Sequence, residues 1–251
     1  MRAIVERLSR GVVLKRRLPA SVGGAQLYVS PDAQLKYLKL AADAFDADLL
    51  RLAQDHVKRD SVVWDVGANV GVFTFAAAGL AKDGHVFAIE ADSWLAELIR
   101  RSCRLPENRS LGITVLPAAV SASNGVAEFV IARRGRASNY LAEAGGWSQS
   151  GGERERTHVA TLTLDSLLES FRRPTFLKID VEGAEAMVLR GATRLLQEVR
   201  PALYIEVGKE NSDEVTRLLQ AANYRLFDST RPISGQQPLE RCVQDTLAVP
   251  A

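Results

Sequence analysis

The chain has 251 residues, of which 47% are hydrophobic and 25% charged, and its formal net charge is +2 at pH 7. This length and composition suit one large α/β domain, alone or with a small extension. No apolar stretch approaches the roughly 20 residues of a membrane span, so we expect a soluble protein. The two cysteines, Cys103 and Cys242, lack metal-ligand spacing, which favours reduced thiols and a cytoplasmic location.

The first 19 residues are basic, with six arginine or lysine side chains against one acid, Glu6. Such a leader suits an anionic membrane surface or a partner, and equally a solvated helix and strand. Apolar residues at helical spacing between Leu35 and Lys58 then predict one or two helices. We assign residues 1–60 to a helical and extended leader that packs on a core domain of residues 61–251.

Strand-like runs and helical segments alternate along this core domain. The predicted strands are 62–66, 86–90, 112–116, 175–180, 202–207, 223–228 and 243–249. Their alternation with helices indicates a mostly parallel sheet covered on both faces. One helix is predicted by the apolar stripe from Val188 to Val199, and Asn211 or Ser212 is expected to cap the next helix.

A glycine turn follows the first of these strands. Residues 65–71 read Asp-Val-Gly-Ala-Asn-Val-Gly and precede an apolar helix start. The turn brings backbone N–H groups and the positive end of a helix dipole to the strand's carboxyl end, and Gly67 and Gly71 permit close approach or a positive φ. Asp65 places a carboxylate at the strand tip. S-adenosylmethionine, which carries both a carboxylate and an amine, suits this turn.

Glu90 ends the second strand, at the same edge of a parallel sheet. Its carboxylate can accept two hydrogen bonds from a ribose diol, each worth roughly 1.5–3 kcal/mol. Dinucleotide-binding proteins show a similar pattern, but the turn lacks G-x-G-x-x-G spacing and Asp65 would repel a pyrophosphate. A nicotinamide-dependent oxidoreductase, a structural turn and a non-catalytic cofactor-binding module are the alternatives.

Two further predicted strands, 126–131 and 158–164, bracket a polar segment rich in glycine and arginine. We interpret residues 132–157 as a flap insertion on the substrate side, with disorder as the alternative. Its arginines suit a substrate with carboxylate or phosphate groups, or are solvated surface charge.

Acids collect at the ends of two later strands. Asp180 and Glu182 stand at and beyond the tip of strand 175–180, and Glu206 stands near the end of strand 202–207. In an open α/β sheet ligands bind at this edge. Either Asp180 or Glu182 is a general base with Glu206 orienting the acceptor, or Asp180 and Glu206 share a divalent cation such as Mg²⁺. Lys178 is expected to pair with a neighbouring carboxylate.

Together these segments resemble the FkbM-type methyltransferase family over about residues 60–230. The resemblance rests on the glycine turn with Glu90, on Leu116-Pro-Ala-Ala-Val-Ser121, on Lys178-Ile-Asp-Val-Glu-Gly-Ala-Glu185 and on Arg200-Pro-Ala-Leu-Tyr-Ile-Glu206. It implies a Rossmann-like class I methyltransferase sheet, seven mostly parallel strands with the last antiparallel. It also implies S-adenosylmethionine-dependent methylation of a hydroxyl on a small molecule, such as a sugar, a glycosylated metabolite or a glycan.

Carried over position by position, the resemblance implies the cofactor contacts. The cofactor-binding residues are Asp65, Gly67, Ala68, Asn69 and Gly71 at the methionine part, Glu90 at the ribose, and Ala119 and Ser121 beside the adenine. Nucleic acid is not the expected partner, because the basic residues of the leader and flap lack interleaved aromatic residues and no base-flipping tetrad is present. Composition and motifs leave the oligomeric state open.

Overall fold

The computed structural model of the protein describes residues 6–39, 44–146 and 150–251. The first five residues of the predicted leader therefore lie outside the described residues. In chain order the strands are β1 (Leu14–Arg17), β2 (Gln26–Val29), β3 (Val62–Val66), β4 (His85–Ile89), β5 (Ile113–Leu116), β6 (Ala119–Val120), β7 (Gly125–Ala132), β8 (Tyr140–Leu141), β9 (Glu153–Leu162), β10 (Phe176–Ile179), β11 (Ala202–Glu206), β12 (Tyr224–Asp228) and β13 (Asp245–Pro250). Between residues 44 and 251 the α-helices are α1 (Ala47–His56), α2 (Val72–Leu80), α3 (Ser93–Cys103), α4 (Leu164–Leu167), α5 (Glu185–Arg190) and α6 (Ser212–Ala221).

The central sheet has seven strands in the order β12-β13-β11-β10-β3-β4-β5. Each lies within two residues of a predicted strand, so the predicted α/β sheet is confirmed. Neighbouring strands are parallel except β13, which runs antiparallel to β11 and β12. The last strand is thus antiparallel, as predicted. Because β4 and β10 lie on opposite sides of β3, the strand order reverses there, and a ligand crevice is expected at the carboxyl ends.

Both faces of this sheet are buried, since successive strand residues point to opposite sides. Val63 and Phe176 belong to a core cluster that includes residues of α1, α2 and α3. Trp64 and Leu177 belong to a second cluster that includes residues of α5 and α6. The two layers hold the strand ends in a fixed order, and the site is built on those ends.

The chain before β3 packs against the central domain. Strands β1 and β2 form an antiparallel hairpin, and the Tyr28 amide donates to Ser102 Oγ of α3 at 2.8 Å. A 3₁₀ turn at Leu35–Leu38 and helix α1 follow. Part of the helical stretch predicted between Leu35 and Lys58 falls on residues 40–43, outside the described residues. No helix in the described part of the chain is long and apolar enough to cross a membrane.

The segment around the predicted flap forms a second sheet of four strands in the order β6-β9-β7-β8. Strands β7 and β9 pair antiparallel from Gly125 opposite Thr161 to Ala132 opposite Glu153. Strand β9 therefore begins five residues before the predicted strand and includes the last part of the predicted insertion. Of the insertion itself, residues 147–149 lie outside the described residues.

The prediction of a single helix from Val188 to Val199 is wrong. Helix α5 ends at Arg190 and a separate π-helical turn spans Leu195–Val199. The Asp165 carboxylate accepts hydrogen bonds from the amides of Arg194 and Leu195 at 2.9 and 2.8 Å, which starts this second segment. The sequence pattern could not reveal this contact, because Asp165 is about 30 residues away.

The predicted side-chain cap of α6 is also wrong. Asn211 occupies the cap position, but its side-chain amide donates to Gly183 O at 2.7 Å and to Glu185 Oε2 at 2.8 Å. The Ser212 hydroxyl donates to Cys242 O at 2.7 Å. Asn211 therefore ties α6 to the turn that follows β10, and this turn carries the acids of the site.

Candidate active site

The glycine turn between β3 and α2 packs against two neighbouring strands. The amides of Gly67 and Ala68 donate to Ile89 O at 2.9 and 3.1 Å. Gly67 has a φ of +77°, and a Cβ at this position would lie 1.8 Å from Asp180 O. Gly71 has a φ of +88° and precedes the first residue of α2. The close approach at Gly67 joins the turn to the end of β10.

We expect Gly67→Ala to lower the free energy of unfolding by at least about 3 kcal/mol, which combines a positive-φ penalty of about 1–2 kcal/mol with a backbone clash. For a chain of this size that corresponds to a melting temperature roughly 6–12 °C lower. Gly235→Ala is the matched control, since Gly235 has a φ of +86° and no heavy atom of the described residues within 4 Å of its Cβ position. Equal shifts for the two variants would contradict the clash.

Asp65 lies beneath the turn. It is fully buried, Thr74 Oγ1 donates to its Oδ2 at 2.6 Å, and Lys178 Nζ lies 3.2 Å from its Oδ1. The pairing of β3 with β10 aligns Asp65 with Lys178. Asp65 is not among the described residues that line the cavities at this edge. The structure thus places it as support for the turn.

Lys178 links the turn to the acids of β10. Its ammonium donates to Gly67 O at 3.1 Å and lies 3.3 Å from Asp180 Oδ2. Burial acts to lower the pKa of Lys178, but the ion pairs with Asp65 and Asp180 outweigh burial and raise it. The prediction that Lys178 pairs with a neighbouring carboxylate is confirmed.

Glu90 holds the same turn from the end of β4. Its Oε2 accepts a hydrogen bond from the backbone N–H of Asn69 at 2.7 Å, and its Oε1 accepts one from the backbone N–H of Asp92 at 2.8 Å. Burial raises the pKa of Glu90 to about 8, against the lowering effect of these two amides. A carboxylate oxygen can accept more than one hydrogen bond, so Glu90 can also meet ligand hydroxyls.

Two cavities meet at this edge of the sheet. We call the first the flap-side cavity; it encloses about 280 Å³ and extends from Glu90 to Phe129 and Leu141. The second, the helix-side cavity, encloses about 270 Å³ and extends from α1 to Tyr204 and Asp245. The described residues that line both cavities are Gln34, Asp46, Gly67, Asn69, Asp180 and Glu206.

The predicted site residues distribute unevenly over these cavities. Ala119, Glu90 and Glu182 line the flap-side cavity, and Ala68 lines the helix-side cavity. Gly71 and Ser121 are not among the described residues that line either one. The Ser121 amide donates to Leu162 O at 2.9 Å, so its backbone is engaged with the end of β9.

The three predicted catalytic acids are crowded together. Burial, followed by the charges of Asp180 and Glu206, raises the pKa of Glu182 to about 9. Burial and then the charge of Asp180 raise the pKa of Glu206 to about 7, although a hydrogen bond from Gln244 partly offsets this. A ligand with a positive group at this point would stabilise the ionised forms of these acids.

The junction of the cavities also carries polar atoms that lack partners. Gln34 Oε1 and Asn69 Oδ1 are buried and have no hydrogen-bond partner among the described residues. Buried polar atoms are normally satisfied, so these two oxygens suit a ligand with donor groups. The ammonium of S-adenosylmethionine can donate hydrogen bonds to such oxygens, and the positive charges of its ammonium and sulfonium suit the crowded acids. The residues present therefore fit this cofactor.

The predicted metal ligands are Asp180 and Glu206. Among the described residues no group of three or more histidine, cysteine, aspartate or glutamate side chains is arranged to hold a metal ion. Asp180 and Glu206, the predicted ligands, do line the same junction, but Lys178 already supplies positive charge beside Asp180.

Several cavity residues were not among the predicted catalytic or cofactor-binding residues. Gln34 comes from the leader, and Arg136 and Asn139 come from the turn between β7 and β8. Arg136 belongs to the arginine-rich insertion, which was the available signal for it. Gln34 has no such signal, because its contact with the glycine-turn region depends on the folded chain.

A mostly parallel seven-stranded sheet with an antiparallel last strand, and a glycine turn opposite Glu90 at the reversal point, defines a class I methyltransferase. The family model described as the Methyltransferase FkbM domain matches residues 65–226, and the chain belongs to this family. It is therefore an S-adenosylmethionine-dependent methyltransferase.

Known proteins are similar to this chain in sequence and in structure. The hexuronic acid methyltransferase AglP of Haloferax volcanii is 32% identical over 182 residues, which cover 70% of this chain and 69% of AglP. The FkbM methyltransferase of Methylobacillus flagellatus KT has a TM-score of 0.47 at 16% identity, covering 87% of this chain and 58% of that one. Precorrin-6y C5,15-methyltransferase of Geobacter metallireducens GS-15 has a TM-score of 0.47 at 13% identity, covering 80% of this chain and 86% of that one.

Proposed function

We propose that the chain transfers the methyl group of S-adenosylmethionine to a hydroxyl of a sugar or glycosylated metabolite. The observation that carries this proposal is that Asp180 and Glu206 line both cavities. Carboxylates at such a junction can act where a methyl donor in one cavity meets an acceptor in the other. The similarity to a hexuronic acid methyltransferase supports a carbohydrate acceptor.

The flap-side cavity suits the cofactor. Its apolar wall, which would receive the adenine, is formed by Ala119, Phe129, Leu141, Val181 and Ala184. Glu90 would accept the ribose hydroxyls, and Gly67 and Asn69 would contact the methionine part beside the N-terminus of α2. When bound, S-adenosylmethionine supplies a methyl group on a positively charged sulfur.

The helix-side cavity suits a polyhydroxylated acceptor. Its lining offers polar groups from Tyr204 and Asp245, whose side chains share a hydrogen bond of 2.7 Å. The rim cations Lys36 and Arg51 already pair with Asp46 and Asp48 at 3.2 and 2.9 Å. A hexuronic acid offers both hydroxyl and carboxylate oxygens. A ligand carboxylate added to the acids of the crowded junction would be repelled, so a hydroxyl is the favoured methylated oxygen.

A hydroxyl acceptor needs to lose its proton, and we assign this role to Glu206. A pKa of about 7 lies where a general base is most effective at neutral pH. With S-adenosylmethionine bound, the acceptor oxygen would form its bond to the methyl carbon as the carbon–sulfur bond breaks, and Glu206 would receive the hydroxyl proton on a carboxylate oxygen. Alignment of oxygen, methyl and sulfur supplies up to roughly 7–11 kcal/mol. The products are a methyl ether and S-adenosylhomocysteine.

The pH dependence of turnover follows from this role. The base form of Glu206 exists above its pKa, so kcat is expected to rise with pH and level off above about 7. Well below that value kcat should fall about tenfold per pH unit, because the deprotonated fraction of Glu206 falls tenfold. Initial rates between pH 5 and 9 at saturating substrates test this, and a rate independent of pH would contradict it.

We expect turnover to survive removal of divalent metal. The Lys178 ammonium beside Asp180 Oδ2 would repel a cation at that carboxylate. Protein treated with a chelator and then desalted should keep its methylation rate within about twofold of the untreated protein. Loss of catalytic acid–base assistance would instead lower the rate by about 10²-fold or more. A loss restored by Mg²⁺ would instead support the arrangement in which Asp180 and Glu206 share a cation.

The function is tested with methyl glucoside and with two acceptors that each differ from it in one group. Methyl glucoside, methyl glucosaminide and methyl glucuronide are incubated with S-adenosylmethionine, and S-adenosylhomocysteine is measured together with the methylated sugar. Products of the proposed reaction are ethers, which survive mild alkali, whereas a methyl ester of the glucuronide does not. Ester formation alone would contradict the hydroxyl assignment. Tight cofactor binding without turnover on a wider carbohydrate panel would favour the non-catalytic module.

A further inference from the structure

A buried ion-pair network lies beside the flap-side cavity. Arg136, in the 3₁₀ turn Arg136–Ser138, donates through Nη1 to Asp92 Oδ2 at 2.5 Å and through Nε to Asp32 Oδ2 at 3.1 Å. Arg154 of β9 donates to both oxygens of Asp32 at 2.9 and 3.0 Å. The Arg136, Asp32 and Asp92 side chains are 13%, 4% and 3% exposed. One guanidinium therefore bridges two buried carboxylates from separate parts of the chain.

One end of this network reaches the predicted ribose contact. The Asp92 amide donates to Glu90 Oε1 at 2.8 Å. Asn139, which lines the flap-side cavity, donates to Asp92 Oδ2 at 2.8 Å. Arg136 lines the same cavity and lies with its guanidinium carbon 4.7 Å from the centroid of the Trp94 ring. A molecule in the flap-side cavity would thus restrict the same residues that hold Asp92.

The other end reaches the wall of the helix-side cavity. The Arg136 amide also donates to Asp32 O at 2.7 Å. Gln34, two residues further along, lines both cavities, and Lys36 and Tyr37 line the helix-side cavity. The position of this wall therefore depends on how firmly Asp32 is held.

Burial of two carboxylates and two guanidinium groups is a poor way to gain stability, because desolvation offsets much of the attraction. Such a network is better suited to fixing one arrangement of the chain segments that it joins. Arginine is required for this geometry, since its planar fork can bind two carboxylates at once while lysine is a compact point charge.

We propose that Arg136 is a positioning residue that couples the two cavities, so that cofactor in the flap-side cavity orders the wall 33–39 of the helix-side cavity. This inference rests on the proposed function, which assigns cofactor and acceptor to those cavities. Coupling between two sites is reciprocal, so an ordered wall also strengthens cofactor binding.

Amide hydrogen exchange with S-adenosylhomocysteine as the probe tests the coupling. In the unmodified protein we expect the product to slow exchange in residues 33–39 about fivefold or more. Arg136→Lys and Asp32→Asn should still bind S-adenosylhomocysteine, measured by calorimetry, but should lose most of this protection. Asp32→Asn keeps the proposal testable if Arg136→Lys does not fold, and Asp32 is not among the described residues that line the two cavities.

Arg156→Lys is the matched control. Arg156 also joins two carboxylates in the second sheet, Glu128 at 2.9 Å and Glu153 at 2.6 Å, but all three side chains are largely exposed. This variant should keep the protection of residues 33–39. Equal protection in Arg136→Lys, Asp32→Asn and the unmodified protein would overturn the coupling, as would its absence from the unmodified protein. Failure of the unmodified protein to bind S-adenosylhomocysteine would instead contradict the proposed function.

Discussion

Glu206→Gln is expected to lower kcat by about 10²–10⁴-fold, the usual contribution of a general base. The amide keeps the shape of the side chain but cannot take the acceptor proton. Binding of S-adenosylhomocysteine, which lacks the sulfonium charge, should change little, because the glycine turn and Glu90 remain intact. Initial rates with saturating substrates, and calorimetry with S-adenosylhomocysteine, separate the two effects.

Asp180→Asn distinguishes the base from its neighbour. The charge of Asp180 contributes to the raised pKa of Glu206, so its removal should move the inflection of the pH–rate profile below 7. Glu206→Gln should instead remove the inflection. The control is Glu198→Gln, which changes an exposed glutamate 3.8 Å from Arg194 Nε. An unchanged kcat in Glu206→Gln, with an identified acceptor, would contradict the role as base.

Much of the sheet was predictable because its signals are local. Parallel strands buried on both faces read as apolar runs, and the seven runs between Val62 and Pro250 matched strands of the central sheet. Carboxyl ends of parallel strands meet at one edge, so Asp180 and Glu206 could be predicted to lie near the glycine turn. Both line the junction of the two cavities.

Side-chain direction at the strand tips was less predictable. Asp65 stands at the end of β3 as expected, yet its carboxylate is held by Lys178, which is more than 100 residues away in sequence. That contact required knowing that β10 pairs with β3 and in which register. Ser121 shows the same limit, because its pairing with the end of β9 decides where its backbone lies.

The ion pair between Arg136 and Asp32 is a further long-range feature, separated by 104 residues. Arginine-rich loops are usually solvated, and local sequence carries no sign that this guanidinium is buried against two carboxylates. Packing of the β7–β8 turn against the leader therefore determines that the Arg136 guanidinium is buried. At the site, the contacts between elements were the part that the sequence pattern could not predict.

Glu90→Ala is expected to weaken cofactor binding by about 2–4 kcal/mol, which corresponds to roughly 30- to 1000-fold in Kd. Its two oxygens hold the amides of Asn69 and Asp92 at 2.7 and 2.8 Å. The substitution therefore removes the proposed ribose acceptor and also frees the backbone of the glycine turn. Titration calorimetry with S-adenosylhomocysteine measures the combined loss.

Two further variants, Glu90→Gln and Glu97→Ala, test whether the loss of affinity is specific to the Glu90 carboxylate. The glutamine retains one acceptor oxygen but turns its amide donors toward a backbone N–H, so it should lose part of the affinity. Glu97 lies in the adjacent helix α3, where its exposed carboxylate is 3.3 Å from Arg104 Nη1, and its loss should leave Kd unchanged. A folded Glu90→Ala protein with the unmodified Kd would exclude Glu90 from the cofactor site, and the assignment of the flap-side cavity would then lose its main polar contact.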